Sequence, residues 1–197
     1  MSSARRWRPA TAESKLLAGA EGFALPHYLE AGRFYHDAAH VRAMLSALDS
    51  RGVLTPALAL AVWGHDLIYD ARAGDNEERS ASAFDGWLAA QNAPAELRAE
   101  VRALILATKH AAPPVSRAEA LLVDADLAIL GASPAAFAAY DAAIRQEYAH
   151  VPAPLYRVGR KKVLRGFLDR ERIYTTPEFA GLEAQARANL AGAVGRP

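Results

Sequence analysis

The chain has no cysteine and only two methionines among its 197 residues. Disulfides and thiolate chemistry are therefore excluded, and any metal site must use imidazole, carboxylate and water. No run approaches the roughly 18 apolar residues that mark a membrane span. The opening stretch MSSARRWRPATAESK is basic, but no apolar segment follows it as a secretory signal requires. A charge excess of either sign is missing too, since 23 basic residues face 22 acidic ones for a net charge of +1. That balance supplies no global field to recruit nucleic acid or anionic lipid. Together these absences lead us to expect a soluble, cytoplasmic protein with neither a nucleic-acid nor a membrane partner.

Alanine is abundant, at nearly a quarter of the chain, while isoleucine and threonine are scarce. This composition favours helix over sheet, and the start and stop signals agree. Thr11 can cap a first helix through Leu17, and a short helical turn from His27 to Ala31 follows Pro26. A helix from Ala38 to Leu48 stops at Ser50-Arg51-Gly52. Thr55-Pro56 then opens the run ALALAVWGHDLIY, which is apolar almost all round and reads as the central buried helix. Asp75-Asn76-Glu77-Glu78 and Ser116-Arg117-Ala118-Glu119 have capping-box spacing. The first would start a helix to Gln91; the second would start one that Gly131 closes. Pro94, Ser133-Pro134, Leu155 and Pro177 open further helices. The expected fold is all-α, a single domain over 1–197 built as a bundle of about seven to ten helices.

Within these helices some polar residues are awkward to bury. His65-Asp66 ends the greasy run, and Gly64 removes a side chain beside the pair, leaving room for an ion or ligand. His36 and His40 are four apart, so on a helix they share one face. Asp124 and Asp126 interrupt the apolar run LLVDADLAIL, where a buried carboxylate is costly without a cation or an arginine. His40, His65, Asp66 and Asp126 together supply two imidazoles and two carboxylates. Such a set suits one divalent ion, with Mn, Fe, Co, Ni, Zn and Mg all admissible. The bland alternative is a helical bundle in which the histidines and aspartates pair with one another.

The order His … His-Asp … Asp resembles the HD superfamily of metal-dependent phosphohydrolases, whose all-helical domain ligates a divalent ion through these residue types. The resemblance carries the metal-ligand role to His40, His65, Asp66 and Asp126, with Asp126 preferred to Asp124 because the family's last ligand is second in an Asp-Ala-Asp-like stretch. The segment Tyr35-His36-Asp37-Ala38-Ala39-His40-Val41 is similar to the cyclic-nucleotide phosphodiesterase signature, which implies that His36 donates a proton to the leaving oxygen. The stretches YHxxxHV, HDxxYD, DNEExSA and TKH, with an Arg-rich C-terminal helix, are similar to a group of bacterial HD-family proteins of about this length without an assigned substrate. Two-metal members use extra histidines. Here only His110 could serve as a second-metal or outer-sphere residue, its alternative role being to complement a helix dipole, so one metal is expected.

The implied activity is hydrolysis of a phosphoester, of a nucleotide or another small phosphorylated metabolite. A divalent cation would lower the pKa of a water that attacks phosphorus. Arg33, Arg79, Lys109, Arg157 and Arg160 are candidates to neutralise the phosphate, with Lys109 favoured because it adjoins His110. Glu77 is a candidate base, ranked above Glu78 because Glu78 already has a capping role. Two other readings stand beside the hydrolase: a non-catalytic HD domain holding metal and nucleotide as a sensor or scaffold, and a di-iron oxygenase, which the shortage of histidines disfavours. Apolar C-terminal residues (Leu164, Phe167, Leu168, Ile173, Phe179, Leu182) could pack internally or form a homodimer.

Overall fold

The computed structural model describes residues 12–195. Their fold is all-α, with nine helices: α1 (Ala12–Tyr28), α2 (Ala38–Asp49), α3 (Pro56–Gly64), α4 (Asn76–Ala90), α5 (Ala95–Ala107), α6 (Arg117–Asp126), α7 (Pro134–Glu147), α8 (Ala153–Leu168) and α9 (Glu183–Gly195). Two short 3-10 segments, Leu127–Gly131 and Ala180–Leu182, link the later helices. No single helix among the described residues is long and apolar enough to cross a membrane.

The apolar run that begins at Pro56 is the central element. Thr55 caps α3 by accepting the Leu58 amide, and every residue from Ala57 to Gly64 is buried. A helix with no polar face must be surrounded, and α1, α2, α4, α5 and α6 all pack against it. The C-terminal apolar residues turn inward. Leu164, Ile173 and Phe179 are buried, and Phe167, Leu168 and Leu182 pack against the same core.

Five local expectations need correction, the last helix among them, which opens at Glu183 after a 3-10 segment and not at Pro177. The first helix does not stop near Leu17; it runs through Pro26 to Tyr28, so His27 to Ala31 is no separate turn. Buried Ala20, Ala24 and Tyr28 hold that helix against the core, which offsets the one backbone bond Pro26 cannot make. Thr11 itself lies outside the described residues. Asp75 makes no side-chain cap on α4, and the Glu78 carboxylate bonds Lys109 Nζ instead of closing a capping box. Gly131 is not a left-handed cap. It ends a 3-10 segment, and a Cβ there would lie 2.6 Å from Leu182 Cβ, so close packing requires the glycine. The second box does form in outline: Ser116 Oγ accepts the Glu119 amide and Glu119 Oε2 accepts the amide of Val115.

Candidate metal centre and its cleft

Three chain segments bring the polar residues together. His40 lies in the first turn of α2, whose cap Asp37 accepts the amides of Ala39 and His40. His65 and Asp66 follow the last residue of α3, where the chain leaves the helix. Asp126 is the last residue of α6. His40 Nε2 stands 3.2 Å from His65 Nε2 and 3.1 Å from Asp126 Oδ1. Asp66 Oδ2 is 2.9 Å from His65 Nε2 and 4.0 Å from His40 Nε2. One donor atom each from His40, His65 and Asp126 falls within a mutual separation of 4.8 Å.

This donor set fits a divalent cation. His65 Nδ1 lies 2.8 Å from the Val62 carbonyl, so with a proton on Nδ1 the Nε2 lone pair faces His40 and the carboxylates. Two imidazole nitrogens in contact, flanked by two carboxylates and nearly sealed from water, demand positive charge at their centre. Burial alone would lower the His65 imidazole, but Asp66 and Asp126 outweigh it and push it up to about 9. Burial would raise the Asp126 carboxyl, but hydrogen bonds and charge from His110 and His40 hold it well below the usual carboxylate range. A divalent cation could meet that demand through these nitrogen and oxygen donors.

The turn that carries His65 and Asp66 is pinned from outside. The Tyr28 hydroxyl donates to the Trp63 carbonyl and accepts the Asp66 amide. Arg33 Nη1 donates to the Asp66 carbonyl at 2.6 Å, and Nη2 donates to the Leu67 carbonyl at 2.9 Å. Ser80 Oγ both accepts the Ile68 amide and donates to the Ile68 carbonyl. Arg33 is therefore a bracket for the backbone, not the phosphate ligand expected from sequence. Gly64 also has another reason to be glycine: a Cβ there would meet Phe84 and Ile105 side-chain atoms at 2.8 and 2.7 Å. The space beside His65 belongs to the core and not to an ion.

A cleft of about 790 Å³ opens beside the cluster, lined at this end by His36, His65, Asp66, His110 and Asp126. His36 is not on a helix shared with His40; it sits in the loop before α2. Glu147, at the end of α7, holds that loop. Its Oε1 accepts the amides of Phe34, Tyr35 and His36. Its Oε2 lies 2.7 Å from His36 Nδ1 and accepts the Tyr69 hydroxyl. Burial would raise the Glu147 carboxyl, but His36 and these amides hold it down to about 2. Burial likewise works against protonated His36, yet the Asp66 charge and Glu147 raise its pKa above the ordinary value.

His110 Nε2 is 3.0 Å from Asp126 Oδ2, and its Nδ1 is buried without a partner. Its φ of +55° lies in the left-handed region, uncommon for a side-chain-bearing residue. It thus braces Asp126 from the turn after α5 and does not merely complement a dipole. Lys109 and Glu77 reach the cleft, although Lys109 Nζ is already bonded to Glu78 and to the Gly74 carbonyl. Arg160 also lines it, steadied by Asp141 at 3.0 Å. Arg79 does not line it and faces Asp75 at 3.9 Å, and Arg157 is exposed on α8.

Asp124, the carboxylate set aside for Asp126, is fully buried. It accepts the amides of Thr175 and Thr176 and the Thr176 hydroxyl, so it clamps the C-terminal loop. Sequence reasoning missed Glu147 and Arg170, which also lines the cleft. Nothing near Glu147 in the chain marks it, because its partners lie 78 positions away or more. The chain matches no protein-family model, no curated protein and no solved structure.

Proposed function

We propose that the protein is a metal-dependent phosphohydrolase, as its HD-like order of residues implies. The observation that carries this reading is the meeting of His40, His65, Asp66 and Asp126 beside a cleft that His36 also lines. Those four side chains would hold one divalent cation, and His110 would brace Asp126 from outside. When bound, the cation supplies Lewis acidity and a more acidic water. His36 holds a proton on its ring, oriented by Glu147 through Nδ1, which leaves Nε2 for an oxygen in the cleft. That places it to protonate a leaving group. Arg160 and Lys109 contribute positive charge along the cleft wall, where phosphate oxygens would need it.

The test is turnover of a panel of phosphomonoesters and phosphodiesters by protein loaded with Mn, Co, Ni, Fe, Zn or Mg. Activity should require one of these metals and fall by about 10³-fold or more in His65→Ala. Hydrolysis that is undiminished in His65→Ala and in Asp126→Asn would overturn the reading.

A further inference from the structure

Away from the metal end, the cleft changes character. Its wall there is one face of α8, with Leu155, Gly159, Val163 and Gly166 at helical spacing. Leu155 and Val163 are 66% and 52% exposed, and a Cβ added at Gly159 or Gly166 would meet nothing within 4 Å. Ile144 and Val151 add further apolar surface. Such an exposed apolar wall inside a cleft of ligand size marks a binding surface more than a defect.

The neutral polar side chains of the cleft are occupied elsewhere. Asn76 uses both ends of its amide on the backbone of Asp70, and the Thr108 hydroxyl donates to the Ile105 carbonyl. The Tyr69 hydroxyl donates to Glu147 and also pairs with Tyr148, while Tyr140 pairs with Arg160. Tyr156 is the exception among them, a cleft residue whose buried hydroxyl has no partner. A site that reads a nucleobase edge or sugar hydroxyls needs unengaged donors and acceptors. Beside the carboxylates of Asp66 and Glu77, this one offers mainly cations, aromatic rings and aliphatic surface; Arg170 lies stacked 4.7 Å over Phe167.

We infer that the cleft takes a phosphorylated molecule whose organic part is apolar, laid along α8 with Gly159 and Gly166 leaving the room for it. Only the phosphate end of this inference rests on the hydrolase reading. The lining fits such an amphiphile: the metal cluster with Lys109 and Arg160 can take the phosphate, and the apolar face of α8, on which Arg160 itself stands beside Gly159, can take the organic part.

The test is calorimetric binding to the full-length protein, with EDTA and with Mn²⁺, using octylphosphonate, ribose 5-phosphate, adenosine 5′-monophosphate and inorganic phosphate. Octylphosphonate should bind about ten-fold or more tighter than the other three, and Gly159→Leu should weaken it about ten-fold or more. Affinity for Mn²⁺ and for inorganic phosphate should not change. Leucine is a better helix former than glycine, and Gly166→Leu gives the same reading if the first variant fails to fold. Equal or tighter binding of the nucleotide or sugar phosphate would overturn the inference. So would indifference to both leucine variants, or a dimer that Leu155→Ser dissociates, since a second copy would then cover α8. Octylphosphonate binding without hydrolysis of octyl phosphate by any metal form would uphold the inference and count against the hydrolase. Metal-dependent hydrolysis of ribose 5-phosphate without octylphosphonate binding would do the reverse.

Discussion

Glu147 and His36 meet at 2.7 Å although 111 positions separate them in sequence. One carboxylate thereby fixes the loop before α2 and orients the ring that enters the cleft. Because Glu147 accepts three backbone amides as well, Glu147→Gln should cost about 1–3 kcal/mol of stability. NMR titration should also show the His36 pKa falling in the variant. An unchanged His36 titration would mean that the pair has no influence on the ring.

The same carboxylate makes a pH prediction. Its folded pKa, about 2, lies below the roughly 4.3 of an unfolded glutamate. Its contribution, roughly 3 kcal/mol, is therefore present above the unfolded value and lost as pH falls toward the folded one. Denaturant melts from about pH 6 down to about pH 3 should show the gap between wild type and Glu147→Gln narrowing. A gap that stays constant or widens would contradict this account of Glu147.

Asp124 and Asp126 should separate cleanly by experiment. Removing Asp124 leaves the buried Thr176 amide and hydroxyl without their acceptor, so Asp124→Ala should cost about 3 kcal/mol. The folded variant should still bind metal like wild type. Asp126→Asn should behave oppositely, losing metal affinity by about 10-fold or more. Calorimetry with Mn²⁺ and thermal melts on both variants read the two effects.

Gly64→Ala tests whether the space beside His65 belongs to the core. The added methyl must displace Phe84 or Ile105, so it should destabilise by about 1–3 kcal/mol. For a chain of this size, each kcal/mol lowers Tm by about 2–4 °C. A variant as stable as wild type would return that space to a ligand.

Sequence made the helices legible because alanine content, caps and prolines are local signals. It also made His65-Asp66 and the Asp124/Asp126 pair stand out as polar residues in apolar runs, while His40 was marked by its spacing from His36 and Asp126 was preferred to Asp124 only by the resemblance. What it could not give was which partner relieves each one. Asp124 and Asp126 look alike in LLVDADLAIL, yet one faces the Thr175–Thr176 amides and the other faces His40. Arg33 looked like a phosphate ligand because its charge is visible, whereas the carbonyls of Asp66 and Leu67 that occupy it are not. Glu147 was silent for the same reason: its role exists only after α7 has been placed beside the loop before α2.

The most direct test of the central claim is an anomalous-difference map from crystals grown with Mn²⁺. The account predicts one peak about 2.0–2.3 Å from His40 Nε2, His65 Nε2 and the carboxylates of Asp66 and Asp126. A map with no peak there, or with its only peak elsewhere in the molecule, would contradict it.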